Sequence, residues 1–303
     1  QRYILQLSTP EAILGALNDG LMQEVASDLS LPQKTAIAEF LTKRKMSGDD
    51  VRSAGVACSQ LATEFNRAAT PAFSHWGFDQ EGTHYIGPST ASVTKAALPT
   101  MEVEWAFAFP SAVRARSQPA LAGGAIFVGS QSGLVYAFDL ETGCTRWQFM
   151  ASAEVRNAMI IAPWDPVDEE ADPLLYFGDV SGNQYAISAI TGELTWRKRM
   201  DDHGVATLTA ASTLVDDVLY VPISSLEEGA AISADYPCCT FRGAVAALNA
   251  GTGEELWRRY FIPPAKEQAT NDAGNTLYGP SGVPVWAGMS VDDDLLFVAT
   301  GDD

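Results

Sequence analysis

The chain has 303 residues, of which 47% are apolar and 19% charged, and its formal net charge is −19 at pH 7. This composition is typical of a globular protein with one large or two ordinary domains, and it excludes a disordered chain. The acidic balance argues against nucleic-acid binding, which needs Lys and Arg to neutralise phosphates. The sequence also predicts no transmembrane segment, because it has no apolar run of membrane-spanning length.

Residues 1–46 predict a small helical segment. In "STPEAILGALNDG", Thr9 suits the N-cap of a helix and Gly20 suits its C-terminal stop. In "SLPQKTAIAEFLTKRKM", Ser30 and Gln33 predict a capping box at the start of a second helix. The expected apolar face of this helix consists of Ala36, Ile37, Phe40 and Leu41.

Residues 47–100 are polar and irregular, and "AATPAFSHWGFDQEGTHYIGPSTAS" predicts turns and loop. We interpret them as a connector that packs along the domain after it. From residue 101 onward the pattern changes to short strands, such as "AIFVGS", "LVYAFDL", "LLYFGD" and "VLYVPIS".

One sixteen-residue pattern occurs three times in this strand-rich part. The windows are "SGLVYAFDLETGCTRW" from Ser132, "SGNQYAISAITGELTW" from Ser181 and "RGAVAALNAGTGEELW" from Arg242. Each window predicts a tight turn, a strand, a Thr-Gly turn in which Gly accepts positive φ, and a strand that carries Trp. These tryptophans and Trp105 recur about 40–60 residues apart, a spacing typical of propeller blades.

A single four-stranded blade cannot bury its own faces, so blades stack around an axis. We therefore expect the Trp of each repeat to pack between neighbouring sheets. The longest spacing between successive tryptophans, from Trp196 to Trp257, contains an insertion at about residues 228–241. Three blades and part of a fourth are expected in this sequence, which is too few to close a ring.

The repeat, of the type "VYALDxxTGxxxW", resembles that of the quinoprotein alcohol dehydrogenases, whose eight-bladed propellers carry pyrroloquinoline quinone and calcium. The segments "HWGFDQEGTHY", "ARSQPALAGGAIFVGS" and "YPCCTFRGAVAALNAGTGEELW" are more narrowly similar to polyvinyl-alcohol dehydrogenases, in which a cytochrome c domain is fused to the propeller. The resemblance covers residues 70–303. It implies a mainly β fold, with an incomplete eight-bladed β-propeller of about three and a half blades over residues 101–303, truncated at its C-terminal end.

The resemblance also implies that residues 1–46 are the C-terminal part of a cytochrome c domain. Met22 would then be an axial ligand of the haem iron, although an ordinary core or surface Met is the alternative. The haem attachment motif C-x-x-C-H is absent from this sequence. We therefore expect a truncated sequence, with haem c attached upstream of Gln1.

Two acidic residues match the calcium positions of the family. In "ISSLEEG", Glu227 follows Ser224 at the family's spacing and is the favoured ligand, with Glu228 in reserve. Asp302 in "VATGD" stands where the family has Asn, and it would add a negative charge. The alternative for both segments is a solvated acidic turn.

Several other residues match positions that contact the quinone in the family. Trp286 would form the floor of the site, and Thr209 and Ser224 would supply hydroxyl contacts. Arg116 in "ARSQP" lies near a family Arg that contacts the quinone. The alternatives are a core Trp and a surface Arg.

The four cysteines do not have the spacing of a zinc site. Cys238 and Cys239 are adjacent, and they either form a strained disulfide, which requires an oxidising compartment, or remain free thiols. The family resemblance implies that this pair lies near the quinone and calcium, although other family members carry such a pair in an earlier blade.

The function implied by the resemblance is oxidation of alcohols or polyols, with polyvinyl alcohol as a candidate substrate, in the periplasm or outside the cell. Electrons would pass to a cytochrome c haem or another respiratory-chain acceptor. The catalytic base of the family would lie beyond Asp303, so no base is assigned. The alternative is a non-catalytic propeller scaffold for outer-membrane protein assembly.

Overall fold

The computed structural model describes residues 8–18, 22–23, 25–46, 55–59, 64–69, 71, 73–79, 81–88, 91, 93–110, 112 and 114–301. Two helices form its amino-terminal part, α1 Pro10–Asn18 and α2 Leu31–Thr42, and a short 3-10 turn follows at Leu98–Thr100. Among these described residues, no helix combines the length and the apolar character that crossing a bilayer would require.

Helix α2 begins as predicted, but it buries a different face. The backbone N–H of Ser30 donates to Gln33 Oε1 at 2.9 Å, which confirms the capping box. The predicted apolar face is wrong, since Phe40 is 55% exposed while Ala38 and Thr42 are buried. Thr42 can be buried because its hydroxyl donates to the carbonyl of Ala38 at 2.8 Å. The predicted helix stop at Gly20 lies outside the described residues.

Three antiparallel sheets follow in chain order between residues 120 and 260. The first sheet contains β1 Ala120–Ala122, β2 Ala125–Gly129, β3 Leu134–Asp139 and β4 Thr145–Met150. The second contains β5 Ile160–Ile161, β6 Leu174–Gly178, β7 Asn183–Ser188 and β8 Leu194–Arg199. The third contains β9 Ala206–Thr207, β10 Thr213–Val215, β11 Val218–Ser225, β12 Ala244–Asn249 and β13 Glu255–Tyr260.

A one-turn helix, α3 Glu227–Ala230, follows β11, and two hairpins come after the third sheet. The hairpins are β14 Lys266–Thr270 with β15 Thr276–Gly279, and β16 Ser290–Asp292 with β17 Leu295–Phe297. Three meandering sheets and part of a fourth confirm the incomplete propeller.

The repeated tryptophans join each sheet to the next. Trp147, Trp196 and Trp257 each occupy the third position of the outermost strand and face an Ala of the neighbouring strand, which confirms their predicted equivalence. The indole N–H of Trp147 donates to the carbonyl of Ala189 at 3.0 Å, and that of Trp196 donates to Ala250 at 2.9 Å. Each acceptor lies in the turn of the following sheet.

The glycine of each Thr-Gly turn makes room for this contact. A Cβ placed on Gly192 would lie 2.8 Å from the ring of Trp147, and Gly192 has a φ of +75°. Gly253 stands in the same relation to Trp196. The repeated Trp and Thr-Gly residues therefore contact each other across adjacent blades. The largest apolar clusters also lie between adjacent sheets.

The described part of the connector crosses the innermost strands of successive sheets. Phe73 bridges to Leu121 of the first sheet, and the carbonyl of Ser74 accepts from Ile161 N at 3.1 Å in the second. His75 Nε2 lies 3.0 Å from the carbonyl of Leu214 in the third. This segment therefore ties the three sheets together on the side where their innermost strands end.

Candidate functional site

Three successive sheets place one side chain each at the same point. Arg116, Arg156 and Thr209 precede the first residues of β1, β5 and β10, respectively, by four positions. Because the innermost strands of propeller blades surround a common axis, equivalent positions in neighbouring blades converge there. All three side chains line one pocket.

This pocket, of about 140 Å³, combines positive charge with hydroxyl groups. Its lining consists of Arg114, Arg116, Arg156, Val180, Thr207, Thr209 and Leu226. Guanidinium groups bind carboxylates and phosphates through paired N–H donors. The pocket is therefore suited to a small ligand that carries several negative charges, on a protein whose overall charge is strongly negative.

Two hydroxyl groups of the pocket are left without protein partners. Thr207 Oγ1 and Thr209 Oγ1 are both buried, and neither has a hydrogen-bond partner among the described residues. Leaving a buried hydroxyl unpaired costs about 1–3 kcal/mol. Unpaired buried atoms also occur elsewhere in the described residues, for example Thr145 Oγ1, but these two share one pocket, where a bound ligand can supply the missing partner.

The structure brings part of the predicted quinone site together. Arg116 and Thr209 share the pocket, and Ser224 is buried directly across the strand pair from Thr207. Arg114, Arg156 and Thr207 were not predicted. Arg156 could have been found by aligning the sheets, since it occupies in the second sheet the position of Arg116 in the first.

The Glu227 carboxylate accepts hydrogen bonds from neighbouring residues of the protein. Glu227 Oε1 accepts from the Tyr236 hydroxyl at 3.0 Å and from Thr240 N at 2.9 Å, and Oε2 accepts from Phe241 N at 2.8 Å. His203 Nε2 lies 3.3 Å from Oε1. Burial acts to raise the pKa of Glu227, but the hydrogen bonds from His203, Thr240 and Phe241 lower the pKa below its usual value.

These donors use part of the accepting capacity of the carboxylate, but Oε2, with the bond from Phe241 N, keeps a lone pair that a calcium ion can bind. Asp302 lies outside the described residues, and within the described ranges no three His, Cys, Asp or Glu side chains form a metal-binding group. Calcium binding by Glu227 and Asp302 stays a prediction, and no chemical step below depends on it.

The remaining predicted site residues lie away from the pocket lining. Trp286 is 58% exposed and packs against Gly301, whose Cβ position would lie 2.3 Å from the indole nitrogen. Met22 is 45% exposed and follows α1 in a turn. Their roles as quinone floor and haem ligand stay predictions.

Both cysteine pairs form disulfides. Cys238 is bonded to Cys239, and the two residues exchange backbone hydrogen bonds with Tyr278 in β15. A second disulfide, between Cys58 and Cys144, was not predicted; it links the connector to the first sheet. Neither disulfide contributes to the described lining of the pocket.

A larger pocket, of about 340 Å³, lies under the connector but offers less for a ligand to bind. Its lining includes His75, Ser74 and Asp216 together with apolar residues. Both ring nitrogens of His75 are hydrogen-bonded, to Ser74 and to the Leu214 carbonyl, and burial lowers the pKa of His75. We therefore assign the ligand site to the smaller pocket with its unpaired hydroxyls.

The described residues combine successive propeller blades with a pocket that is lined by three arginine and two threonine side chains. Residues 73–303 match the family model described as glucose/ethanol/alcohol dehydrogenase, beta-propeller domain. The chain belongs to this family of quinoprotein alcohol dehydrogenases.

Known proteins support the same assignment. The chain is 31% identical to the polyvinylalcohol dehydrogenase of Sphingopyxis sp. strain 113P3 and 30% identical to that of a Pseudomonas species. Both alignments cover 99% of this chain and 48% of the relative, so the chain spans about half the length of these proteins. The crystal structure of quinohemoprotein alcohol dehydrogenase from Comamonas testosteroni matches with a TM-score of 0.55 at 19% identity, over 85% of this chain and 37% of that one, which supports the fold alone.

Proposed function

We propose that the protein oxidises alcohol groups with pyrroloquinoline quinone, which binds in the pocket formed by Arg114, Arg116, Arg156, Thr207 and Thr209. The observation that carries this proposal is the convergence of three guanidinium groups and two unpaired buried hydroxyls in one pocket. The family to which the chain belongs supports the reaction class.

The residues present fit the chemistry of this cofactor, which is a flat tricarboxylate. The three arginines supply donors for its carboxylates, and the two threonine hydroxyls can donate to its remaining oxygens. Val180 and Leu226 add apolar surface suited to a planar ring. When bound, the quinone accepts two electrons from an alcohol.

The protein's own contribution is binding and orientation. Arg116 and Arg156 belong to different sheets, so together they fix the direction of a bound anion as well as its position. Thr209 holds a buried hydroxyl at the wall, where water is excluded and a hydrogen bond is stronger than in solvent. We assign no catalytic base.

The substrate, electron acceptor and location follow from the relatives and the cysteine chemistry. Two relatives that align with almost the whole chain are polyvinylalcohol dehydrogenases, so we propose a polyol substrate of that kind. We propose cytochrome c haem as the acceptor, with Met22 as a candidate iron ligand. Two disulfides support a periplasmic or secreted location, because disulfides persist in oxidising compartments. The pocket chemistry and the relatives favour an enzyme over a scaffold for outer-membrane protein assembly.

Reconstitution tests the proposal. The purified protein is mixed with pyrroloquinoline quinone, with and without Ca²⁺, and alcohol-dependent reduction of a redox dye is followed with polyvinyl alcohol or ethanol. We expect dye reduction that requires both quinone and alcohol, and a half-saturating quinone concentration that rises about tenfold or more in Arg156→Met.

The matched control is Arg259→Met, which removes the same charge from an exposed position on β13. It should leave the quinone dependence unchanged. Dye reduction without quinone, or equal effects of the two substitutions, would contradict the proposal.

A further inference from the structure

A buried carboxylate stands directly behind the pocket. Glu154 is 2% exposed and lies between the first and second sheets. Arg114, which lines the pocket, donates from Nε to Glu154 Oε1 at 3.2 Å and from Nη2 to Oε2 at 2.5 Å. A paired contact of this kind fixes the plane of a guanidinium group as well as its position.

The backbone of Glu154 touches the pocket wall as well. Its carbonyl accepts from Val180 N at 3.0 Å, and Val180 is a lining residue. Glu154 therefore holds two parts of the wall, one through its side chain and one through its main chain.

The helical segment contacts the chain next to Glu154 and the loop that follows β2. Ser8 bridges to Ala153, and Thr9 N donates to the carbonyl of Ser152 at 3.2 Å. Arg44, which follows α2, donates to the carbonyl of Gln131 at 3.3 Å.

We propose that Glu154 is a positioning residue that orients Arg114 in the pocket wall. This inference rests on the proposed function, since the ligand is the anionic quinone. It assigns to Glu154, a residue outside the pocket lining, a share in the binding of the quinone.

The direction in which the quinone dissociation constant changes, when the Glu154 carboxylate is removed, distinguishes a positioning role from a simple effect of charge. Removing the Glu154 carboxylate makes the surroundings of the pocket more positive, which by Coulomb attraction alone would tighten the binding of a tricarboxylate. If the carboxylate instead holds Arg114 in place, its removal weakens binding despite the gain in positive charge. The two mechanisms therefore predict opposite changes in the dissociation constant.

The test is a titration of the purified protein with pyrroloquinoline quinone, followed by the quenching of tryptophan fluorescence. We expect Glu154→Gln to raise the dissociation constant about tenfold, the scale seen when a group that orients a ligand-binding side chain is lost. The matched control is Asp139→Asn. It breaks another largely buried ion pair, in which Asp139 of the first sheet lies 2.7 Å from Arg146. That control should leave quinone affinity within about twofold of the wild type, whatever it does to the melting temperature.

If Glu154→Gln does not fold, Arg114→Lys keeps the charge, loses the paired donors and should give the same weakening. Unchanged or tighter binding in Glu154→Gln or Arg114→Lys overturns the positioning role. Failure of the wild-type protein to bind quinone overturns the proposed function itself.

Discussion

Thr209→Val should change the free protein and the quinone complex in opposite directions. The substitution replaces a buried hydroxyl that lacks a partner among the described residues with a methyl group of nearly the same shape. Removing that unsatisfied group should stabilise the free protein by about 1 kcal/mol, which corresponds to a rise in melting temperature of about 2–4 °C.

Quinone binding should weaken in the same variant. A hydrogen bond to an uncharged oxygen contributes about 0.5–1.5 kcal/mol, so its loss should raise the dissociation constant roughly 2- to 10-fold. Thermal unfolding without quinone measures the first effect, and a fluorescence titration with quinone measures the second.

Thr145→Val provides the matched control. Thr145 Oγ1 is also buried without a partner among the described residues, but it lies in β4, outside the pocket lining. Its replacement should stabilise the protein by a similar amount and leave quinone affinity unchanged. A fall in the melting temperature of Thr209→Val together with unchanged quinone affinity would refute our interpretation of the unpaired hydroxyl.

Three further predictions concern the scaffold that supports the pocket. Replacing Cys58 and Cys144 by serine opens a cross-link between residues 86 positions apart and should lower the free energy of unfolding by roughly 2–5 kcal/mol in a denaturant titration; an unchanged midpoint would contradict this. Trp147→Phe removes an indole donor between sheets and should lower the free energy of unfolding by about 1 kcal/mol. Gly192→Ala should lower it by more, because it forces a Cβ against the ring of Trp147 at positive φ. Equal denaturation midpoints for the two variants would contradict this. Burial acts to raise the pKa of Asp139, but hydrogen bonds from Arg146 and Thr142 lower this pKa to about 2. The ionised carboxylate therefore stabilises the fold above the ordinary pKa of 3.8, and this stabilisation is lost as the pH falls toward 2. Asp139→Asn should therefore flatten that part of the acid-unfolding curve, and an unchanged curve would count against the ion pair.

The repeats made the architecture predictable from the sequence. A Thr-Gly turn, an alternating strand and a Trp at fixed spacing are all local features, and the three copies give the same result independently. The capping box at Ser30 and Gln33 is equally local, which explains why it was predicted correctly.

The errors arose where the answer depends on distant packing. Phe40 belongs to an apolar stripe, but a stripe does not reveal which face of a helix meets the rest of the protein, and here the buried face carries Ala38. The Cys58–Cys144 disulfide joins residues 86 positions apart, and no sequence spacing indicates such a pair.

The pocket was predicted only in part for a related reason. Arg116 and Thr209 were found through the family resemblance, whereas Arg114 and Thr207 become pocket residues only once the sheets are stacked. Thr207 lies opposite the predicted Ser224, so the resemblance named one hydroxyl of this strand pair and not the other, and the contact of either with a quinone stays a prediction.

A crystal structure of the purified protein with pyrroloquinoline quinone tests the central claim most directly. The proposal predicts quinone in the pocket between the three sheets, with carboxylate oxygens about 2.7–2.9 Å from the guanidinium nitrogens of Arg116 and Arg156 and an oxygen within hydrogen-bond distance of Thr209 Oγ1. A quinone bound elsewhere, for example against Trp286 and in contact with none of these three side chains, would contradict it.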